Sequence, residues 1–354
     1  MPVPLPRQLL RHSACTLALA LSVAACSQQP PAPGTGAAET VDAGTGAVQP
    51  LPESWQRVQG EDVPSAPDAA QQLPATVESD EGAQVTVTDS SRTIAGGDDV
   101  IAVMEALGLG GHVYAAPTNT ATAAGRAAPR HFLFNRTTGV EGVLSLDGSL
   151  FLGNSLRRHA ASGLAGRLRD AGLPAVVIDD LQPAPDKVRK TAAALGMAAA
   201  GERLASQVQA QLDEAARIAA GHARRPKVIH VSATGAGGQP TVGGADTAAA
   251  GLIRLAGGDN IGDAAGVSDY SVLSQEGVVA AAPEVILLSE NDLELFGGVQ
   301  ALWNHYPTLR QTPAGASGRV WVMPDVQLKY TSVASGAGAI ALARALDALA
   351  DEAP

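Results

Sequence analysis

Seven consecutive residues, Arg130-His131-Phe132-Leu133-Phe134-Asn135-Arg136, bring together an imidazole, two guanidinium groups and two phenyl rings. An imidazole can ligate a metal, a planar guanidinium pairs with a carboxylate, and an aromatic face stacks on a flat ring. The chain has only four phenylalanines, so finding two of them here marks the segment as a candidate binding loop. An alternative puts Phe132 and Phe134 into core on one side of a strand and leaves His131 as a solvated neighbour. Tyr270, and Tyr330 beside Lys329, are further candidates, each able to serve as a polar ligand group or as a packing residue. Catalytic patterns are absent. Neither Gly96-Gly97 nor Gly237-Gly238 is followed by a lysine at phosphate-loop spacing, and there is no His-Glu-x-x-His or Gly-x-Ser-x-Gly. The reading is of a binding protein rather than an enzyme.

The N terminus places these groups outside the cytoplasm. Arg7 and Arg11 precede an apolar run from Cys15 to Ala25 that is too short for a stable membrane anchor and reads as a signal peptide over 1–25. Val23-Ala24-Ala25-Cys26 resembles the lipobox of bacterial lipoproteins, which implies cleavage before Cys26 and lipidation of that residue. Cys26 would then be the only cysteine of the mature chain, which excludes an internal disulfide and a cysteine-rich metal site. Loss of the two arginines leaves 22 basic against 35 acidic residues, a net charge of -13, so nucleic acid is not an expected partner. Ten acidic residues and one basic residue, Arg57, lie between Ser27 and Ser90. With few large apolar side chains, the stretch 26–83 reads as a lipidated cysteine followed by a flexible acidic linker, with Trp55 a lone surface aromatic.

Past Gln84, short apolar runs alternate with alanine-rich helical stretches, the pattern of α/β units on a mainly parallel sheet. Strands are predicted at 85–88, 93–95, 112–115, 149–153 and 175–178, then at 227–232, 285–289 and 319–323. Helices are predicted at 98–109, 156–171, 247–255 and from about 339 to 350. Leu204, Val208, Leu212, Ala215 and Ala219 recur at helical spacing in a stretch nearly free of glycine and proline. The expected architecture is α/β: two Rossmann-like lobes, 84–197 and 222–354, joined by a long rigid helix over 198–221, with a ligand cleft between them. One further pattern links the lobes. Glu141-Gly142-Val143-Leu144 and Glu276-Gly277-Val278-Val279 each precede a predicted strand by the same interval, to Leu150 and to Val285.

On these segments the chain resembles the class III, helical-backbone substrate-binding proteins of ABC importers, and most closely the hemin-binding branch. The resemblance runs from about Arg92 to the C terminus and rests on Thr93-Ile94-Ala95-Gly96-Gly97, Val140 to Leu146, Leu252 to Gly258, Tyr270 to Glu276 and Ala282 to Leu287. It continues in Leu309, Thr312 to Gly315 and Gly318 to Val320. It implies a receptor that carries hemin (heme b) as cargo, uses no catalytic cofactor, and docks on an ABC permease dimer with its ATPase. Family members meet permease arginines through one surface carboxylate per lobe, and those positions match Glu141 and Glu276. The hemin branch carries an iron-ligating tyrosine where this chain has Phe134, followed by Asn135 and Arg136, and phenylalanine cannot donate to iron. His131 then becomes the expected iron ligand from that loop, with Tyr270 across the cleft, and Tyr330 a third ligand-binding candidate. Ferric siderophore or corrinoid binding on the same scaffold is the alternative, and a surface enzyme or signalling receptor is the reading from another class.

Overall fold

A computed structural model describes residues 50–134, 138–153, 163–235 and 239–352. The signal peptide, Cys26, Asn135 and Arg136 lie outside the described residues. Fourteen strands are seen among the described residues: β1 (Trp55–Arg57), β2 (Ala75–Glu78), β3 (Gln84–Val87), β4 (Thr93–Ala95), β5 (Val113–Pro117), β6 (Arg130–Phe132), β7 (Leu150–Gly153), β8 (Ala175–Val177), β9 (Lys227–Ser232), β10 (Thr241–Gly243), β11 (Asp259–Asn260), β12 (Tyr270–Ser271), β13 (Val285–Ser289) and β14 (Val320–Met323).

Two sheets organise the molecule. The first has the order β6-β5-β4-β7-β8 and is parallel throughout. The second runs β1-β14-β13-β9-β10-β12, with β11 beside β9, and only β10 is antiparallel to its neighbours. With β11 and the added β1 set aside, both sheets place the third strand of their lobe at the edge, then the second, first, fourth and fifth. The repeated segment is therefore one topological unit used twice: an edge strand, a helix carrying a glutamate, and the fourth strand. Those fourth strands start at Leu150 and Val285, as the spacing predicted. Strands β4, β7, β9, β13 and β14 are buried along nearly all their length, as expected of parallel strands covered on both faces.

The predicted interlobe helix spans Ala198–Ala219. At 1.5 Å per residue it is about 33 Å long. Leu204, Ala205, Val208 and Ala215 form its buried stripe. The final helix, Ser335–Ala350, packs along it, where Gly336 admits the Gln211 side chain and the Val208 carbonyl.

Residues 50–83 differ from expectation, because they form an ordered strap rather than a flexible linker. β1 extends the second sheet beside β14, and Val58 N donates to Val322 O at 2.9 Å. Gly60 exchanges two hydrogen bonds with the Gln327 side chain and lies so close to the final helix that a Cβ would sit 2.2 Å from Ala337 O. The chain then crosses to the first lobe, where Gln72 N donates to Gly196 O and Asp80 N to Val177 O. Trp55 is buried, its ring edge-on to Trp303 at 5.9 Å. A composition argument fails here because a few apolar side chains, Trp55, Val58 and Val77, reach the cores of the lobes, while backbone hydrogen bonds and close glycine contacts hold the rest.

Candidate functional site

All strands of the first sheet, and β9, β12, β13 and β14 of the second, point their C-terminal ends into the gap between the lobes. Contacts across the gap fix which strands oppose one another. Thr331 Oγ1 donates to Asp180 O at 3.1 Å, joining the loop after β8 to the region after β14, and Asn291 Nδ2 lies 3.5 Å from Asn119 O, joining the ends of β13 and β5. The remaining edge strands, β6 and β12, therefore lie at the same, opposite end of the gap.

His131 sits on β6, so the segment follows the strand alternative rather than the loop. Alternation along the strand sends Phe132 inward, where it meets Phe134 at 5.7 Å, and Phe134 meets Phe151 at 5.8 Å. Both rings, partly buried, pack against the apolar cluster of the first lobe. His131 points the other way, exposed, and its Nε2 is 3.0 Å from Gly125 O. With Nε2–H donating to that carbonyl, Nδ1 keeps the lone pair that can reach a metal. Arg130 is committed locally, donating to the Tyr114 hydroxyl at 3.1 Å and lying over its ring.

Tyr270 opens β12, half-buried, directly opposite Gly243 on β10. Its ring meets the His230 ring edge-on at 5.8 Å and 68°. Gly243 permits this arrangement, because a Cβ there would lie 2.8 Å from His230 Nδ1 and 3.4 Å from Tyr270 Cε1.

Beneath Tyr270, at the ends of β9 and β13, lies a buried polar cluster that the sequence reading missed. Asp292 Oδ1 accepts from Ser232 Oγ, Ala233 N and Lys329 Nζ at 2.8, 2.9 and 2.8 Å, and its Oδ2 accepts from Ser289 Oγ at 2.7 Å. Burial alone would raise the pKa of Asp292, but the Lys329 charge and these donors outweigh it and hold the carboxyl below its usual range. Fully buried, His230 has no hydrogen-bond partner for either ring nitrogen. Burial pulls its pKa down to about 4, against the opposing pull of Asp292, so it is neutral at pH 7. Asp325 accepts from Asn291 N at 2.9 Å, and burial pushes its pKa up to about 6.

The first lobe answers with carboxylates. Asp98, held by Thr120 Oγ1 and by Ala121 N, has its pKa raised by burial, and Asp99 pairs with Lys187 at 2.6 Å with both side chains 1% exposed. Burial first, then Asp98, Asp325 and Asp99, push the Tyr330 phenol well above its ordinary pKa. Tyr330 therefore stays protonated at neutral pH. It also lines a cavity of about 340 Å³ with Leu181, Ala184, Leu212, Thr247 and Leu252, at the hinge end of the gap.

Glu141 and Glu276 are both exposed in the first turns of helices Val140–Leu144 and Gln275–Ala281, where the helix dipole favours them. Each helix leaves the edge strand of its own lobe. Among the described residues no group of three or more His, Cys, Asp or Glu side chains is placed to hold a bare metal ion, and no helix is long and apolar enough to cross a membrane.

Residues 160–326 match the family model described as periplasmic binding protein. Among solved structures, the periplasmic heme-binding protein RhuT from Roseiflexus sp. RS-1 is 30% identical, with a TM-score of 0.65 over 74% of this chain and 100% of that one. BhuT, a periplasmic heme-binding protein solved with two hemes, is 27% identical, with a TM-score of 0.62 over 74% of this chain and 100% of its own. The heme-binding protein HmuT, at 22% identity, shares the fold with a TM-score of 0.68 over 83% of this chain and 97% of its own. No curated protein sequence matches significantly. The relatives are binding proteins rather than enzymes, and the duplicated five-strand lobes, the spanning helix and the RhuT match lead to one conclusion: this chain belongs to the periplasmic binding protein family, as a class III substrate-binding protein near the hemin-binding branch.

Proposed function

We propose that this protein captures hemin between its lobes and delivers it to an ABC permease. The observation that carries the reading is the placing of one potential iron donor on the edge strand of each lobe, His131 on β6 and Tyr270 on β12, at the same open end of the gap. His131 Nδ1 and the Tyr270 oxygen would approach the iron from opposite faces, and burial of the flat ring would supply most of the binding free energy. The Gly125 carbonyl orients the imidazole, and the His230 edge with the bare Gly243 backbone orients the phenol ring. Titration of the purified protein with hemin should give a one-to-one Soret band that shifts in His131→Ala and in Tyr270→Phe. A spectrum indistinguishable from that of free hemin would reject the reading, and binding of a ferric siderophore or corrinoid instead would redirect it.

Glu141 and Glu276 fit the docking role, each a solvated anion at the start of the helix that follows an edge strand. Two separated anions orient the receptor on a two-fold permease and speed encounter. Lipidation at Cys26 would hold the protein at the outer side of the membrane while the strap begins its ordered path at the edge of the second sheet.

A further inference from the structure

The two most exposed large apolar side chains among the described residues are Leu133, 67% exposed, and Val272, 69% exposed. They are not scattered. Leu133 stands two residues after His131, and Val272 two residues after Tyr270. Successive side chains alternate along extended backbone, so a residue two positions on faces the same side. Phe132 and Phe134 take the opposite, core-facing side of this segment. Each lobe thus ends its edge strand in the same order: a donor, one intervening residue, then an exposed aliphatic group. Both strands lie at the edge of their sheet, next to the second strand of their lobe, and run their C-terminal ends toward the gap.

We infer that Leu133 and Val272 are paired apolar jaws that close on the two faces of a tetrapyrrole ring beside the iron. The inference rests on the proposed hemin reading and names residues that would set ring affinity independently of the metal. Two residues of strand advance about 6.8 Å, which moves the contact from above the metal to the outer part of the macrocycle. A flat apolar ring also accounts for both exposures together, since it presents one face to each lobe and removes both side chains from water. The donors then recognise the metal and the jaws recognise the ring. Leu144 is a separate case. It lies three residues beyond Glu141 on the helix that carries that anion, and so belongs with the docking face.

The test compares hemin with iron-free protoporphyrin IX, using the full mature protein and its Leu133→Ser and Val272→Ser variants. Both positions are exposed, so the fold should persist, and unchanged urea midpoints would confirm it. Each serine variant should weaken both porphyrins by about the same factor, roughly tenfold, as expected for losing part of an aliphatic burial. His131→Ala should weaken hemin and leave protoporphyrin IX unchanged. Wild-type protein that binds both porphyrins while the serine variants match it would overturn the inference and leave the hemin reading standing. Wild-type protein that binds neither would overturn both. Variants that bind both porphyrins normally but no longer stimulate permease ATPase activity would move the two residues to the permease interface and also overturn the inference.

Discussion

Replacing Asp325 by Asn and replacing His230 by Phe should bend the pH dependence of stability in opposite directions. The Asp325 pKa rises from an ordinary 3.8 to about 6 because the carboxyl is buried, with Lys329 pulling against the shift. Between those values the folded protein keeps a proton that the unfolded chain has released. Stabilisation from Asp325 is therefore complete below about pH 4 and is lost as the pH rises through 6. At 1.36 kcal/mol per pH unit the span amounts to about 3 kcal/mol. His230 works in the other sense. Burial takes its pKa from 6.5 to about 4, so the unfolded chain takes up the proton first as the pH falls. Its contribution is complete above pH 6.5 and is lost as the pH falls through 4, again by about 3 kcal/mol. In the wild-type protein the two contributions nearly cancel between pH 4 and 6. Over a fall from pH 6.5 to 4, Asp325→Asn should lose about 3 kcal/mol more than wild type, and His230→Phe should lose about 3 kcal/mol less. Urea unfolding followed by tryptophan fluorescence at four pH values gives these differences. Variant curves running parallel to wild type would refute the reasoning.

Two further outcomes follow from the buried pair and the docking anions. Asp99→Ala leaves the Lys187 ammonium buried without its carboxylate, and should cost about 3–5 kcal/mol in urea unfolding at pH 7. A double change, Asp99→Asn with Lys187→Met, should recover most of that loss; no recovery would mean that packing rather than charge dominates. Glu141→Lys combined with Glu276→Lys should abolish hemin uptake by cells while leaving the Soret titration of the purified protein unchanged. Normal uptake would remove both residues from the docking surface.

Much of the lobe architecture was legible because it is written in local runs. β4, β9 and β13 each read as a short, largely apolar run between turn residues, and their bounds agree with the sequence reading. The interlobe helix was legible from its stripe, and the duplication from two four-residue echoes at equal distances from strands. What escaped lacks a local signal. The strap at 50–83 is held by partners distant in the chain, among them the Gln327 side chain on Gly60 and Val322 O on Val58 N. β6 is three residues long with two of them exposed, so nothing in its pattern announces an edge strand. Ser232, Asp292 and Lys329 meet across separations of 60 and 97 residues, and only folding reveals them as one cluster. His230 interrupts the apolar run Val228-Ile229-His230-Val231, and that lone interruption was the one available hint.

The central claim is that cargo iron sits at the open end of the gap, between the ends of β6 and β12. Anomalous diffraction at the iron absorption edge, from crystals of the protein grown with hemin, tests it most directly. The account predicts one iron peak within coordination distance of His131 Nδ1 and the Tyr270 oxygen. A peak in the hinge-end cavity beside Leu212 and Thr247, or iron ligated by neither residue, would contradict it.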